Sequence, residues 1–385
     1  MRHYLRLYRV IGKTFGAWFR PLGAFGLLQL RQAISAITLG LDHVFYPSHR
    51  KQQIDRPIFI IGNPRSGTTF LHRLLLGAGD MAALELWEML FPAITARKLL
   101  GGIVPRLDKL SPARYHPSDV HDTSLRGIET DDVAWFFRTL DGPFAWAYFL
   151  AWQDNWGSGL SRREFGIDDV SRREEERFFN YYDACWRRNL TLKGASRVLA
   201  KTSMLTMRLD AVLRRYPDCK LVYVIRDPVE VIPSGMSLLA SVLENGYDVW
   251  NRTKEEDQRR WLENLYQASC DMLRYFYEAQ SAGKIPERNL YVVRYEDLIN
   301  DLEPTMERIL DFIEIKPTEA FVEEVREQAA RQRSYTSSHE HSPQQFGIAP
   351  ERIRADLGFV YDAFGISGKT GAQPGPQIKK PGTLV

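Results

Sequence analysis

Residues 57–75 read PIFIIGNPRSGTTFLHRLL, which is a short apolar run, a turn rich in glycine, proline and serine, and then the apolar spacing of a helix. This order predicts a β-strand, a phosphate-binding loop and the start of an α-helix. The first N–H groups of a helix have no partner within the helix and point outward, so they can bind an anion. The stretch therefore predicts an anion site at the N-terminus of a helix.

The loop departs from the nucleotide triphosphate P-loop at one place. It keeps the G-x-x-x-x-G frame from Gly62 to Gly67, but Thr68 and Thr69 follow that frame. The lysine and the hydroxyl that would hold the β- and γ-phosphates and Mg²⁺ are missing. We therefore expect a phosphate-binding loop that does not belong to an ordinary ATPase.

The composition sets the class of protein. The chain has 385 residues, of which 44% are hydrophobic and 26% are charged, as in a soluble protein with ample core. The net charge of +3 is too small to indicate nucleic-acid binding. Three cysteines lie far apart, which favours isolated thiols in a reducing compartment over disulfides or zinc. These features predict a cytoplasmic protein; the cysteines are Cys185, Cys219 and Cys270.

The N-terminal region combines basic, aromatic and apolar residues. Residues 1–20 are basic and aromatic, and residues 24–45 are mostly apolar with polar interruptions. No uncharged run of about 18 residues exists, so we do not expect a helix that spans a membrane. The late start of the apolar part also disfavours a signal peptide. An amphipathic helix remains, and it either packs on the protein or lies on a membrane surface as a peripheral contact.

Apolar runs alternate with helical segments along the rest of the chain. A second unit covers residues 197–242, and a third strand in residues 289–298 leads into an amphipathic helix at 303–313. Such alternation is typical of parallel βαβ units. We predict an α/β fold with a P-loop-like parallel sheet flanked by helices. The expected organisation is an N-terminal helical extension at 1–54, one domain at 55–367 and a disordered Gly/Pro-rich tail at 368–385.

A second candidate anion site follows the strand in VYVIRDPVEVIPSG. Arg226 comes where a parallel strand ends, the edge at which open α/β sheets place ligands. Ser234 follows eight residues later in the next helix, and an arginine and a hydroxyl can together bind a second phosphate. The alternative is that Arg226 only pairs with Asp227 or caps a carbonyl. Pro233 removes a helical hydrogen bond, so we also expect a kink beside Ser234.

The two elements together resemble the sulfotransferase superfamily, which uses 3′-phosphoadenosine 5′-phosphosulfate (PAPS). PRSGTT at 64–69 is similar to the 5′-phosphosulfate loop of that family, and the spacing of Arg226 and Ser234 is similar to its 3′-phosphate site. The likeness runs from about Leu41 to Gly365, and it is strongest to the broad bacterial branch related to protein-tyrosine sulfotransferases. A sulfuryl group carries less charge than a phosphoryl group, so the Lys–Mg²⁺ clamp is dispensable and no metal is expected.

The resemblance implies roles for individual residues. Arg65 would neutralise the phosphosulfate, and Lys201 would reach the sulfuryl group, where a point cation stabilises developing charge. The alternative for Lys201 is an ordinary surface lysine after a strand. Tyr295 would contact the nucleotide, although a tyrosine packed in the core is equally compatible with the sequence. The N–H and hydroxyl contacts to the phosphosulfate would come from Ser66, Gly67, Thr68 and Thr69.

An acceptor hydroxyl needs a general base, because an alcohol is a poor nucleophile until its proton is removed. Related enzymes use a histidine or glutamate after the first helix, and LELWEMLFP at 84–92 offers Glu85 and Glu88. We favour Glu88, whose Trp-Glu pair looks most like the family. Glu85 remains open, and so does a second acidic motif, IETDD, with Glu129, Asp131 and Asp132.

The acceptor is predicted only as a class. Residues 133–156 concentrate aromatic side chains, which favours ordinary core but could also line an apolar pocket. An apolar alcohol, a phenol or a lipid suits such a pocket, and a protein tyrosine or a carbohydrate is the alternative. Two other functions stay open at this stage: a kinase-like transferase that uses ATP, and a non-catalytic nucleotide-binding or membrane-associated protein.

Overall fold

A computed structural model describes residues 2–107, 124–128, 142–158, 161, 170–333 and 346–366. The described residues form a parallel five-stranded sheet with the strand order β2-β3-β1-β4-β5. Because the first strand lies in the centre, the loop that follows it has a strand end on either side. The strands are β1 (Ile58–Ile61), β2 (Met81–Ala82), β3 (Arg197–Lys201), β4 (Lys220–Ile225) and β5 (Leu290–Arg294).

Helices cover both faces of the sheet, as all-parallel sheets require. The first six are α1 (Arg2–Phe15), α2 (Arg20–Phe45), α3 (Thr68–Leu76), α4 (Leu86–Leu90), α5 (Ile94–Leu100) and α6 (Val104–Leu107). The next six are α7 (Pro143–Tyr148), α8 (Arg172–Lys193), α9 (Leu209–Arg215), α10 (Pro228–Tyr247), α11 (Val249–Arg252) and α12 (Glu255–Ser281). The last are α13 (Tyr295–Asn300), α14 (Leu302–Ile313), α15 (Glu319–Arg333), α16 (Pro350–Asp356) and α17 (Gly358–Phe364).

The core is divided by the sheet into two layers. Successive side chains of a strand point to opposite faces, so Phe59 and Ile61 join one apolar cluster while Ile58 and Ile60 join the other. The first cluster contains residues of α1, α8, α10 and α12, and the second contains residues of α3, α14 and α15. All four residues of β1 are buried, which makes this strand the centre of the core.

The predicted α/β architecture is confirmed. Four apolar runs form β1, β3, β4 and β5, and every pairing among them is parallel. All three cysteines are buried free thiols. The helix after Arg226 continues through Pro233 to Tyr247.

The structure contains one strand that the sequence did not predict. The edge strand β2 was not predicted, because it contains only Met81 and Ala82 and leaves no apolar run to detect. The limits of the predicted units at 1–54 and 55–367 stay predictions, and the tail at 368–385 lies outside the described residues. The N-terminal helix α1 packs into the main core through Phe15, which is buried and meets Trp152 edge to face.

A buried ion pair joins the N-terminal helices to the rest of the protein. The Asp42 carboxylate, near the end of α2, accepts a hydrogen bond from Arg188 Nε of α8 at 2.7 Å. It also accepts bonds from the main-chain N–H groups of Ile94 and Thr95 at 2.9 and 2.8 Å, so it caps α5. Both charged side chains are buried, and these contacts satisfy them. Asp42 thereby fixes three helices at one point.

We expect Asp42→Ala to lower the free energy of unfolding by about 3 to 5 kcal/mol, because Arg188 would be left buried without its partner. Urea denaturation followed by tryptophan fluorescence measures this change. Glu256→Ala is the control: Glu256 forms an exposed ion pair with Arg260 at 3.2 Å, and its loss should change the stability by less than about 1 kcal/mol. Equal stability of the two variants would contradict the role given to Asp42.

Candidate active site

The loop between β1 and α3 has the backbone of an anion-binding turn. Gly62 and Gly67 have φ angles of +136° and +99°, values that side chains disfavour. A Cβ atom on Gly62 would lie 2.4 Å from the carbonyl oxygen of Val224 in β4, so only glycine permits this close approach. Gly67 is the N-cap residue of α3, and the first N–H groups of that helix therefore open at the carboxyl edge of the sheet.

Arg65, inside this loop, has a φ of +75°. A residue with a side chain rarely adopts this left-handed conformation, and such strain is concentrated at functional sites. Its Nε atom donates a hydrogen bond to Ser234 Oγ of α10 at 3.2 Å. The predicted phosphosulfate loop and the predicted second phosphate site are therefore in direct contact.

Arg226 follows β4 and completes the same cluster. Its Nη1 atom donates to the carbonyl oxygen of Arg65 at 3.2 Å, and its guanidinium lies 4.3 Å from the centre of the Tyr295 ring. Glu230 pairs with it at 2.8 Å, and not Asp227, the carboxylate that the alternative interpretation named. The same ring blocks any side chain at Gly67, where a Cβ would lie 2.6 Å from its Cδ2. Tyr295 thus packs between the two candidate phosphate sites.

The site concentrates positive charge in a partly buried place. Burial, and then the neighbouring charge of Arg226, lower the pKa of the Arg65 guanidinium below its ordinary value. Bringing like charges together costs free energy that a bound anion recovers. The Ser66 hydroxyl is also buried and has no hydrogen-bond partner among the described residues. Both observations fit a polyanionic ligand.

Lys201 ends β3 and reaches the first turn of α3. Its Nζ atom donates to Thr69 Oγ1 at 2.9 Å, and the side chain is buried, which removes the alternative of a surface lysine. Burial, and then the charge of Lys201, lower the pKa of His72 to about 3. His72 is therefore neutral near pH 7, and its Nε2 lies 3.3 Å from the carbonyl oxygen of Leu199.

The two candidate bases have different surroundings. Glu88 is buried; its carboxylate accepts from Lys193 Nζ at 2.9 Å and from the Glu85 N–H at 2.8 Å, and it lies 3.6 Å from Arg97. These contacts stabilise the turn into α4. Glu85 is only half-buried, and its Oε2 accepts from Trp87 Nε1 at 2.7 Å.

The direction of β2 places Glu85 toward the edge that carries the other site residues. Ala82, the last residue of β2, pairs in parallel with Val198, and Glu85 follows three residues later, toward the end at which β3 finishes with Lys201. The segment 124–128 lies beside this turn, because the Trp87 N–H donates to the carbonyl oxygen of Leu125 at 2.9 Å. The acidic motif with Glu129, Asp131 and Asp132 follows directly and lies outside the described residues.

Several supporting residues were not predicted. Thr206 Oγ1 accepts from the Gly62 N–H at 3.3 Å, and Asn63 Nδ2 donates to the carbonyl oxygen of Ser269 at 3.2 Å, so both hold the loop. The Tyr361 hydroxyl donates to Asp227 at 2.7 Å, next to Arg226. These partners lie far apart in sequence, and the sequence carries no local signal for them.

The described aromatic residues of 142–156 belong largely to the core. Trp146 and Trp152 are fully buried, and Trp152 stacks on Trp261 with ring centres 4.9 Å apart. Residues 133–141 lie outside the described residues, so the predicted apolar pocket stays a prediction. In the described part of the chain, no three His, Cys, Asp or Glu side chains are grouped to hold a metal ion.

Comparison with known proteins confirms the family. A profile of the sulfotransferase family matches residues 57–319. The chain is 24% identical to the omega-hydroxy-beta-dihydromenaquinone-9 sulfotransferase Stf3 of Mycobacterium bovis, across 94% of this chain and 92% of that protein. The same values hold for the protein of that name from Mycobacterium tuberculosis.

Solved structures share the fold. Sulfotransferase STF9 from Mycobacterium avium superposes with a TM-score of 0.65 at 17% identity, over 86% of this chain and 82% of that one. Sulfotransferase STF1 from Mycobacterium tuberculosis H37Rv gives 0.57 at 20% identity, over 92% and 91%. The predicted superfamily and fold class are both confirmed.

The contact between Gly62 and β4 can be tested directly. We expect Gly62→Ala to lower the free energy of unfolding by on the order of 3 kcal/mol, because the new methyl group meets a main-chain oxygen and strains the backbone. Gly246→Ala in α10, where nothing lies within 4 Å, should be neutral or stabilising by about 0.5 to 1 kcal/mol. Urea denaturation measures both variants, and a stable Gly62→Ala protein would show that the loop does not need this close approach.

Proposed function

This chain belongs to the sulfotransferase family, and we propose that it moves the sulfuryl group of PAPS to the hydroxyl group of an apolar, lipid-type acceptor. Family membership makes the protein an enzyme that transfers sulfo groups, rather than the ATP-dependent kinase or the non-catalytic protein considered above. The donor, the acceptor and the roles of individual residues are the parts that we propose.

One contact carries the assignment of the donor. The hydrogen bond from Arg65 Nε to Ser234 Oγ joins two candidate anion sites that belong to different strand ends. A ligand with two separated anionic groups matches this arrangement, and PAPS carries a 3′-phosphate and a 5′-phosphosulfate. A nucleoside triphosphate has all its phosphates in one chain and would leave one of the two sites empty.

The first site would bind the 5′ end of the donor. The N–H groups at the start of α3 point to the carboxyl edge, and Arg65 adds a positive charge beside them. The buried hydroxyl of Ser66 would gain the partner that it lacks. Lys201, held against Thr69, supplies a cation where the leaving oxygens become more negative.

The second site would bind the 3′-phosphate. Arg226 and Ser234 can each donate to phosphate oxygens, and charge-assisted bonds of this kind are the stronger ones. Glu230 forms an ion pair with the Arg226 guanidinium in this structure. A bound 3′-phosphate would therefore compete with the Glu230 carboxylate for that guanidinium. Tyr295 supports Arg226 through its ring face.

Transfer requires the acceptor hydroxyl to lose its proton as it attacks sulfur. The new bond joins the acceptor oxygen to sulfur, and the bond from sulfur to the phosphate oxygen breaks as 3′-phosphoadenosine 5′-phosphate (PAP) leaves. We propose Glu85 as the base that takes the proton. Its place three residues after β2 and its half-buried side chain support this choice, whereas Glu88 is buried and paired with the cations Lys193 and Arg97.

The lipid-type acceptor is proposed from two observations. The named relative from Mycobacterium bovis is a sulfotransferase of an omega-hydroxylated dihydromenaquinone, and the match covers 94% of this chain. The N-terminal helices also expose a large apolar surface next to α4 and α5. An acceptor tyrosine in a protein or an acceptor sugar would not require such an apolar surface for binding.

Recognition of the 3′-phosphate is testable by calorimetry. We expect PAP to bind at least about tenfold more tightly than adenosine 5′-phosphate, because charged hydrogen bonds to Arg226 contribute about 1.5 to 3 kcal/mol. Arg226→Met should remove this preference while leaving the affinity for adenosine 5′-phosphate nearly unchanged. Arg326→Met, on the exposed face of α15, is the matched control and should behave as the wild type. Equal affinity of the wild-type protein for both nucleotides would refute the second site.

The choice of base is testable by a pair of isosteric variants. Glu85→Gln should lower kcat by about 10²- to 10⁴-fold and leave the Kd for PAP within a factor of about two, since it removes only the proton acceptor. Turnover is measured with labelled PAPS and a long-chain alcohol found in an acceptor screen. Glu88→Gln should chiefly lower Tm, because Lys193 and Arg97 lose their carboxylate. A reversed outcome, with turnover abolished only in Glu88→Gln, would return the role to Glu88.

A further inference from the structure

The helix α2 exposes an apolar stripe that nothing in the described structure covers. Six side chains at alternating spacings of three and four residues share one face of the helix, and each is between 37% and 73% exposed. We call them the α2 stripe: Leu27, Leu30, Ile34, Ile37, Leu41 and Val44. Contiguous exposed apolar surface of this kind marks an interaction site in natural proteins.

The opposite face of α2 holds the helix against the protein. Its buried residues are Leu28, Ser35, Thr38 and Asp42, and Asp42 carries the ion pair with Arg188. By length and composition α2 could cross a membrane, and only 6% of its most apolar window is buried within the protein. The bonds of Asp42 to Arg188 and of Arg31 to Leu90 nevertheless hold the helix along the folded domain. A helix that packs along the surface of a folded domain exposes one face along its length. Such a helix is suited to contact a membrane surface rather than to span the membrane.

The positive charge of the N-terminal helices favours an anionic partner. Residues 1–41 contain six basic side chains and no acidic one. Arg9 and Lys13, one turn apart on α1, are exposed and line a shallow groove together with Leu5. Tyr4 of α1 packs edge to face on Phe25 of α2, so the basic helix and the α2 stripe belong to one hairpin.

Aromatic residues lie at the turn of that hairpin. Trp18 is 40% exposed and Phe19 is 87% exposed, and both precede Arg20. An apolar face flanked by basic and aromatic side chains is typical of helices that lie in the interface of a bilayer. A second copy of this chain would instead bring together two hairpins that each carry an excess of basic side chains, which like charge disfavours.

We propose that the α2 stripe docks on the surface of a bilayer containing anionic lipid, with Arg9 and Lys13 contacting the headgroups. Docking there has a consequence for the reaction, and this consequence rests on the proposed function. Arg31 Nη1 of α2 donates to the carbonyl oxygen of Leu90 at 3.2 Å, at the end of the helix that Glu85 precedes. The acceptor side of the site would then lie beside the membrane that dissolves a lipid alcohol.

Co-sedimentation of the full chain with vesicles tests the docking without any activity readout. The probes are vesicles of phosphatidylcholine alone and of phosphatidylcholine with 30% phosphatidylglycerol. We expect the wild-type protein to bind the anionic vesicles, and Leu30→Gln/Ile37→Gln to weaken this binding by roughly tenfold or more, since two apolar side chains no longer enter the interface. Val322→Gln, an exposed apolar residue of α15, is the matched control and should bind as the wild type.

The basic groove is tested separately. Arg9→Gln/Lys13→Gln should weaken binding to the anionic vesicles by about fivefold per residue and leave binding to phosphatidylcholine unchanged. All substituted side chains are exposed, so the variants should keep the circular dichroism spectrum of the wild type. The proposal is overturned if the wild-type protein does not sediment with anionic vesicles or if the stripe variant binds them equally well. It is also overturned if the stripe variant turns a wild-type dimer into a monomer, because the stripe would then be covered by a second copy.

Discussion

The close approach of Gly62 to the carbonyl oxygen of Val224 is the constraint on which the site depends. It presses the turn after β1 against the end of β4, and the parallel pairing of Ile61 with Tyr223 keeps both strand ends at one edge. Arg226, one residue past β4, can therefore reach the carbonyl oxygen of Arg65. Arg65 in turn donates to Ser234, so the loop at the start of α3 and the serine on α10 belong to one cluster.

The resulting cluster brings unfavourable interactions together in a small space. Two arginines share a partly buried space, Arg65 has a left-handed backbone, and the Ser66 hydroxyl lacks a partner among the described residues. Under the proposed function, a donor with two anionic ends would relieve these costs together. Specificity for the donor would then follow from the distance between two strand ends rather than from any single residue.

Local features of the sequence predicted part of the fold. The strands and the loop after β1 are each encoded within a few residues, so the sheet and the position of that loop could be predicted. Long-range contacts could not: Thr206 holds Gly62 from 144 residues away, and no local pattern marks it. The two glutamates differ only through the partners that folding brings to them, such as Lys193 for Glu88. Of the two N-terminal alternatives, packing on the protein is seen in the contacts of Asp42, and the contact with a membrane surface stays a proposal.

The central claim is that one donor spans both anion sites, and a crystal structure of the protein with PAP tests it most directly. The account predicts the 5′-phosphate at the N–H groups that begin α3 and the 3′-phosphate within hydrogen-bond distance of Arg226 and Ser234, with Glu230 displaced. A nucleotide whose 3′-phosphate lies in solvent, while Arg226 remains paired with Glu230, would contradict it.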